Sequence, residues 1–96
     1  MADDGFAAFY TGSYRRLLGH LFTVTGDLAE AENALQEAYA RAFVRWPRVR
    51  DYDLPEAWVR RVALNLAAMA ARSLRRRTRA LLRLGRHRRS RSSART

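Results

Sequence analysis

The sequence predicts an all-α domain of three helices followed by a basic, flexible tail. Apolar side chains recur at three- and four-residue steps in three successive windows. Helix stops separate those windows: Gly26 before Asp27, then Pro47 followed by Asp53 and Pro55. A length of 96 residues allows one small core and no second domain. The expected organisation is a helical domain over residues 1–84, with helices at about 4–24, 27–46 and 55–82, and an Arg/Ser-rich tail over 85–96. No internal repeat is present.

The first helix is expected to open on a cap from Asp3 or Asp4 and to bury Phe6, Phe9/Tyr10, Ser13/Tyr14, Leu17, Leu21 and Val24. Gly12 and Gly19 each weaken it by about 1 kcal/mol relative to Ala, so packing must hold it. Gly26 suits a left-handed helix stop, and Asp27-Leu28-Ala29-Glu30 has the spacing of a capping box. The second helix then presents Leu28, Ala31, Leu35, Ala38/Tyr39, Ala42/Phe43 and Trp46 on one face. Glu37 falls nearly opposite that face, beside Glu30 and Asn33, with Gln36 on the flank. Pro47 is expected to end this helix and residues 48–54 to form a loop.

The third helix starts at Asp53-Leu54-Pro55 and is expected to bury Trp58/Val59, Val62, Leu66 and Met69/Ala70. Arg61, Asn65, Ala68, Arg72 and Arg75 then make a separate stripe along one edge. The helical pattern decays after Leu84, and from Gly85 the Arg/Ser mixture reads as disordered.

Charge is divided along the chain. All 19 basic residues are Arg. Residues 1–40 hold two of them against six carboxylates, and residues 41–96 hold seventeen against three. No carboxylate follows Glu56. Such asymmetry predicts two surfaces with different partners, one of them a polyanion. There is no cysteine, and His20 stands alone on a helix, so no metal or cofactor site is expected. A nucleophile–base pair, paired catalytic carboxylates and a phosphate loop are all missing, which argues against an enzyme. With no apolar run of membrane-spanning length and no signal-peptide plan, a cytoplasmic protein is expected.

Two segments carry more than composition does. One is Ala31-Glu32-Asn33-Ala34-Leu35-Gln36-Glu37-Ala38-Tyr39, running on to Phe43 and Trp46. The other runs from Pro55-Glu56-Ala57-Trp58 through Arg60-Arg61-Val62-Ala63-Leu64-Asn65 to the cluster Arg75-Arg76-Arg77. Together they resemble region two of bacterial RNA polymerase sigma factors, in the small extracytoplasmic-function group, over roughly Phe6 to Arg77. The resemblance implies a three-helix region-two fold and a role in transcription initiation. It further implies that Glu32, Asn33, Gln36 and Glu37 meet the beta-prime clamp helices of core RNA polymerase. Tyr52, Arg61, Asn65, Arg72, Arg75 and Arg76 would meet promoter DNA, with Asn65 on the non-template strand of the minus-ten element and Tyr52 in the loop that receives a flipped base.

Other readings of the same residues stay open. Tyr52 either stacks on such a base or closes the core beneath its loop. Trp46 and Trp58 both fall on apolar stripes and are expected in the core. The tail is a linker, a non-specific nucleic-acid binder or a binder of anionic membrane. The rival for the whole chain is a small Arg-rich helical protein that coats RNA or DNA. The family's following helix-turn-helix domain, region four, has no counterpart, so the chain is expected to be either a fragment or a factor that lacks it. An anti-sigma factor is a further partner this group admits.

Overall fold

A computed structural model describes residues 4–94, with side chains to residue 89. Four helices and no strand occur among them: α1 (Phe6–Thr25), α2 (Leu28–Val44), the single turn α3 (Trp46–Val49) and α4 (Pro55–Ala94). The all-α class is as the periodicity predicts. α2 packs most extensively on α4 and next on α1, so it is the central element of the bundle.

The α1–α2 junction follows from its residues. Gly26 is left-handed at φ 71°, and its N–H donates to the Phe22 carbonyl at 2.8 Å. Asp27 caps α2 by accepting from the Glu30 N–H at 3.0 Å. The return bond of the expected capping box is made by a different residue, because the Asp27 N–H donates to Thr25 Oγ1 at 3.2 Å.

The start of α1 departs from expectation. The helix begins at Phe6, and its N-cap Gly5 is left-handed with no side-chain cap. Asp4 also has positive φ, and its carboxylate lies 3.7 Å from the Arg50 guanidinium instead of over the helix end. Its carbonyl accepts the Trp46 indole N–H at 2.7 Å, which fastens the chain start to α3. Asp3, the other expected cap, lies outside the described residues.

The core combines small and large side chains. Ala31, Ala34, Ala38 and Ala42 of α2 are all buried, with Leu35 and Tyr39 between them. Leu17 and Leu21 of α1, Trp46 and Val49 of α3, and Val59, Ala63 and Ala67 of α4 complete it. Around Trp46, Phe6 stands edge-on at 5.3 Å and Phe9 lies tilted at 5.0 Å, an aromatic cluster that closes one end of the bundle. Ser13 is buried beside Tyr39; its hydroxyl bonds to the Phe9 carbonyl at 2.7 Å and to the Tyr39 hydroxyl. Burial pushes the Tyr39 hydroxyl pKa up against the opposing pull of that Ser13 bond.

Three further expectations need correction. Pro47 does not terminate α2; the helix ends at Val44, and Pro47 sits in the first turn of α3, where its missing N–H costs nothing. Of the stripe expected on α4, Val59 is fully buried and Trp58, Val62 and Leu66 are partly buried against the core, but Met69 is 56% exposed and Ala70 is also exposed; Ala63 and Ala67, roughly a quarter turn from Val62 and Leu66, are buried instead. These small residues face the buried alanines of α2, the element against which α4 packs most extensively. Finally, the expected disordered tail is helical, since α4 continues through Gly85 to Ala94. Arg, Leu and Ala are strong helix formers, and one internal Gly at about 1 kcal/mol does not break the run. The molecule measures 71 × 23 × 22 Å, a length set by this helix.

Candidate functional site

Two surfaces emerge, on opposite counts of charge. The first is the outward face of α2. Asn33, Gln36 and Glu37 are exposed there and Glu32 is partly so, as the sequence predicts. Glu37 pairs with Arg41 one turn on, Oε2 to Nε at 3.2 Å. Sequence reasoning missed two neighbours on this face. Phe43, expected in the core stripe, is 64% exposed, and Val44 is 78% exposed. One shallow hollow is lined by Phe6, Tyr10, Gln36, Tyr39, Ala40 and Phe43. A second is lined by Glu37, Ala40, Arg41, Val44 and Arg45. The acidic and amide groups thus border exposed apolar surface, which suits a protein partner more than solvent alone.

The second surface begins at the loop before α4 and follows that helix. An open cavity of about 340 Å³ is lined by Tyr52, Leu54, Ala57, Trp58 and Arg61. Tyr52 is 44% exposed, with its ring 6.4 Å from that of Trp58, so it does not close the core beneath its loop. Trp58, expected in the core, is only partly buried and forms a wall of this cavity. Tyr52 also borders a neighbouring hollow with Val44, Pro47 and two cations that the sequence reading did not single out, Arg45 and Arg48. Leu54 is exposed at the rim.

Beyond the cavity, Arg61, Asn65, Ala68, Arg72, Arg75 and Arg76 are all exposed. At about 100° per residue, all except Arg76 fall within an arc of about 80°, and Arg76 lies at its margin. The phase of α4 sets the middle of this arc opposite Val59, Ala63 and Ala67, while Ala68 and Arg75 at one margin border α1 and α2. Arg75 additionally borders a hollow with Val24, Thr25, Glu30 and Leu64, and so leans toward the α1–α2 junction.

The first turn of α4 is tied down by a bidentate ion pair. Arg16 of α1 reaches Glu56 through Nε to Oε2 at 2.7 Å and through its terminal nitrogen to Oε1. These bonds hold the Glu56 carboxyl below the usual carboxylate range, against the upward pull of partial burial. The pair fixes how α4 leaves the loop that carries Tyr52. Among the described residues no cluster of His, Asp or Glu suits a metal ion, and no helix is long and apolar enough to cross a membrane.

Comparison with known proteins bears on both surfaces. Residues 9–78 match the family described as Sigma-70 region 2, a span that includes every candidate residue named above. The chain is also similar to the ECF RNA polymerase sigma factor SigG of Mycobacterium tuberculosis, in two strains, with 35% identity over 69 residues in each. That stretch is 71% of this chain but 19% of SigG, so the chain spans only a small part of the curated relatives it matches. No solved structure matches the chain.

Proposed function

The chain belongs to the sigma-70 region 2 family, and on that footing we propose that it is a transcription initiation factor. It binds core RNA polymerase through α2 and recognises and helps to melt the promoter minus-ten element through α4 and the loop before it. What most supports the reading is the aromatic-lined cavity of Tyr52, Trp58 and Arg61 at the foot of an exposed edge that carries Asn65. A base lifted from its stack finds ring faces and a cation there, and stacking on an aromatic side chain is worth ~1–3 kcal/mol per base. Bases captured in this way offset the cost of unpairing them. The Asn65 amide, one turn beyond Arg61, has the donor–acceptor pair needed for a base edge, while Arg61 and Arg72 on the same edge supply phosphate contacts.

The polymerase contact is assigned to Gln36 and Glu37 with Asn33 and Glu32 beside them. Phe43 and Val44 supply the apolar area that an acidic patch by itself lacks. The reading requires no cofactor, and it places the chain where polymerase works, in the cytoplasm.

The deciding experiment is a fluorescence titration of a minus-ten non-template oligonucleotide and a scrambled one at fixed salt. Asn65→Ala is expected to lower affinity for the first by ~1–3 kcal/mol and to leave the second almost unchanged. Arg72→Ala is expected to weaken both. Equal losses on both oligonucleotides for Asn65→Ala would favour the rival, a coating protein that grips backbone alone.

A further inference from the structure

Beyond the bundle, α4 continues as one unbroken helix, an arm in phase with the part that carries Asn65. Ala67 is its last buried residue, and no residue from Arg72 to Arg89 is buried. Helix phase is preserved along a continuous helix, so residues past the bundle keep a defined relation to Asn65. At about 100° per residue, Arg79, Arg83 and Arg86 fall in the same arc as Arg61, Asn65 and Arg72. Arg77 and Arg88 fall on the opposite side, with Leu74 and Leu81, in line with the buried Val59, Ala63 and Ala67. From Arg72 the row continues at Arg79, Arg83 and Arg86, with rises of about 10.5, 6 and 4.5 Å between successive cations.

The two halves of α4 differ in chemistry. The half that begins at the loop has Trp58 and Asn65, with Tyr52 in the loop just before it. After Trp58 the sequence holds no Phe, Tyr or Trp, and after Asn65 it holds no Asn or Gln. The arm thus lacks both the rings that hold unstacked bases and the amides that read base edges. Its charged side chains are guanidinium groups, which suit phosphate, with His87, Ser73 and Thr78 as the other polar groups up to Arg89. No carboxylate follows Glu56, so these cations repel one another along the helix until an external anion relieves them.

We propose that Arg72, Arg79, Arg83 and Arg86 bind the phosphate backbone of duplex DNA adjoining the melted element, without reading its sequence. This rests on the function proposed above. From Arg72 to Ala94 the arm extends about 34 Å, close to one turn of B-form DNA. The loop end would capture single-stranded bases while the arm holds the neighbouring duplex and sets its register.

The test uses the full chain and three probes: the minus-ten single strand alone, and the same strand joined to a duplex of about one turn upstream or downstream. Two matched double variants are compared, Arg79→Gln with Arg83→Gln on the row, and Arg77→Gln with Arg88→Gln opposite. Gln has nearly the helix propensity of Arg, and circular dichroism checks that the arm persists. The row variant is expected to reduce the log–log salt slope by about 1.8 on one duplex-bearing probe, at ~0.9 per phosphate contact. It should change the slope on the single strand little, and the opposite variant should change neither. Equal slope losses for both variants would make the arm a diffuse polycation and overturn the proposal, as would an unchanged slope on both duplex probes. Unchanged DNA slopes with lost binding to phosphatidylglycerol vesicles would assign the arm to membrane instead. Asn65→Ala run on the same probes separates failure of the arm from failure of promoter reading.

Discussion

Replacing Gln36 by Ala and Glu37 by Arg together should abolish polymerase binding while leaving the fold in place. The structural cost is small because both side chains are exposed. Glu37 has one partner, Arg41 at 3.2 Å, and both side chains of that pair are about half exposed. Such a one-turn helix pair is worth about 0.3–0.5 kcal/mol. Reversing the charge removes that term and adds a like-charge repulsion of similar size, so the total stays below about 1 kcal/mol. For a domain of this size, that corresponds to a fall in Tm of no more than about 4–8 °C. The cost at a basic partner is larger, since like-charge juxtaposition across an interface costs several kcal/mol. A loss of about 3 kcal/mol lowers affinity more than 100-fold. The assay is a pull-down with core RNA polymerase beside a circular dichroism melt. Undiminished capture would remove α2 as the docking face. A much larger fall in Tm would mean that this face is structural rather than free for a partner.

Other perturbations test the packing beneath the two surfaces. Ser13→Ala should cost about 1–3 kcal/mol in a denaturant melt, because it leaves the buried Tyr39 hydroxyl without its partner. A wild-type midpoint for that variant would mean that Tyr39 finds another acceptor. Ala63→Leu should destabilise by about 1–3 kcal/mol through overpacking against α2, whereas Met69→Ala at an exposed site should stay within about 0.5 kcal/mol. The reverse order of effects would restore the stripe expected from sequence. The Glu56 carboxyl titrates lower when folded than unfolded, so its contribution is present above the unfolded carboxylate pKa and is lost as pH falls through the folded one. The stability gap between wild type and Arg16→Gln should therefore be open at neutral pH and close in acid. A gap independent of pH would assign Arg16 a packing role.

Local signals account for much of what was legible. Gly26 and Asp27 form the stop and the cap their side chains suggest, because both devices need only neighbouring backbone. Exposure of Gln36, Glu37, Arg61, Asn65 and Arg72 also followed from helical period, since a charged or amide side chain opposite an apolar stripe has nowhere else to go. Trp46 took its expected place in the core, held by a bond to Asp4 that no sequence pattern announces.

Tertiary structure decided what period cannot. Residues 58–70 are apolar over a broad arc, and periodicity places Val59 in the core but not the centre of the buried face. Against the buried alanines of α2, that centre falls on Val59, Ala63 and Ala67, with Val62 and Leu66 at its flank. This placement exposes Met69, leaves Trp58 to line a cavity beside Tyr52, and puts Arg61 and Asn65 on the exposed side of the helix. It also set the phase of the arm, where Arg79, Arg83 and Arg86 inherit their direction from a packing event some 20 Å away along the same helix. Hydrophobicity specifies how much surface must be buried, and only the shape of the facing element specifies which.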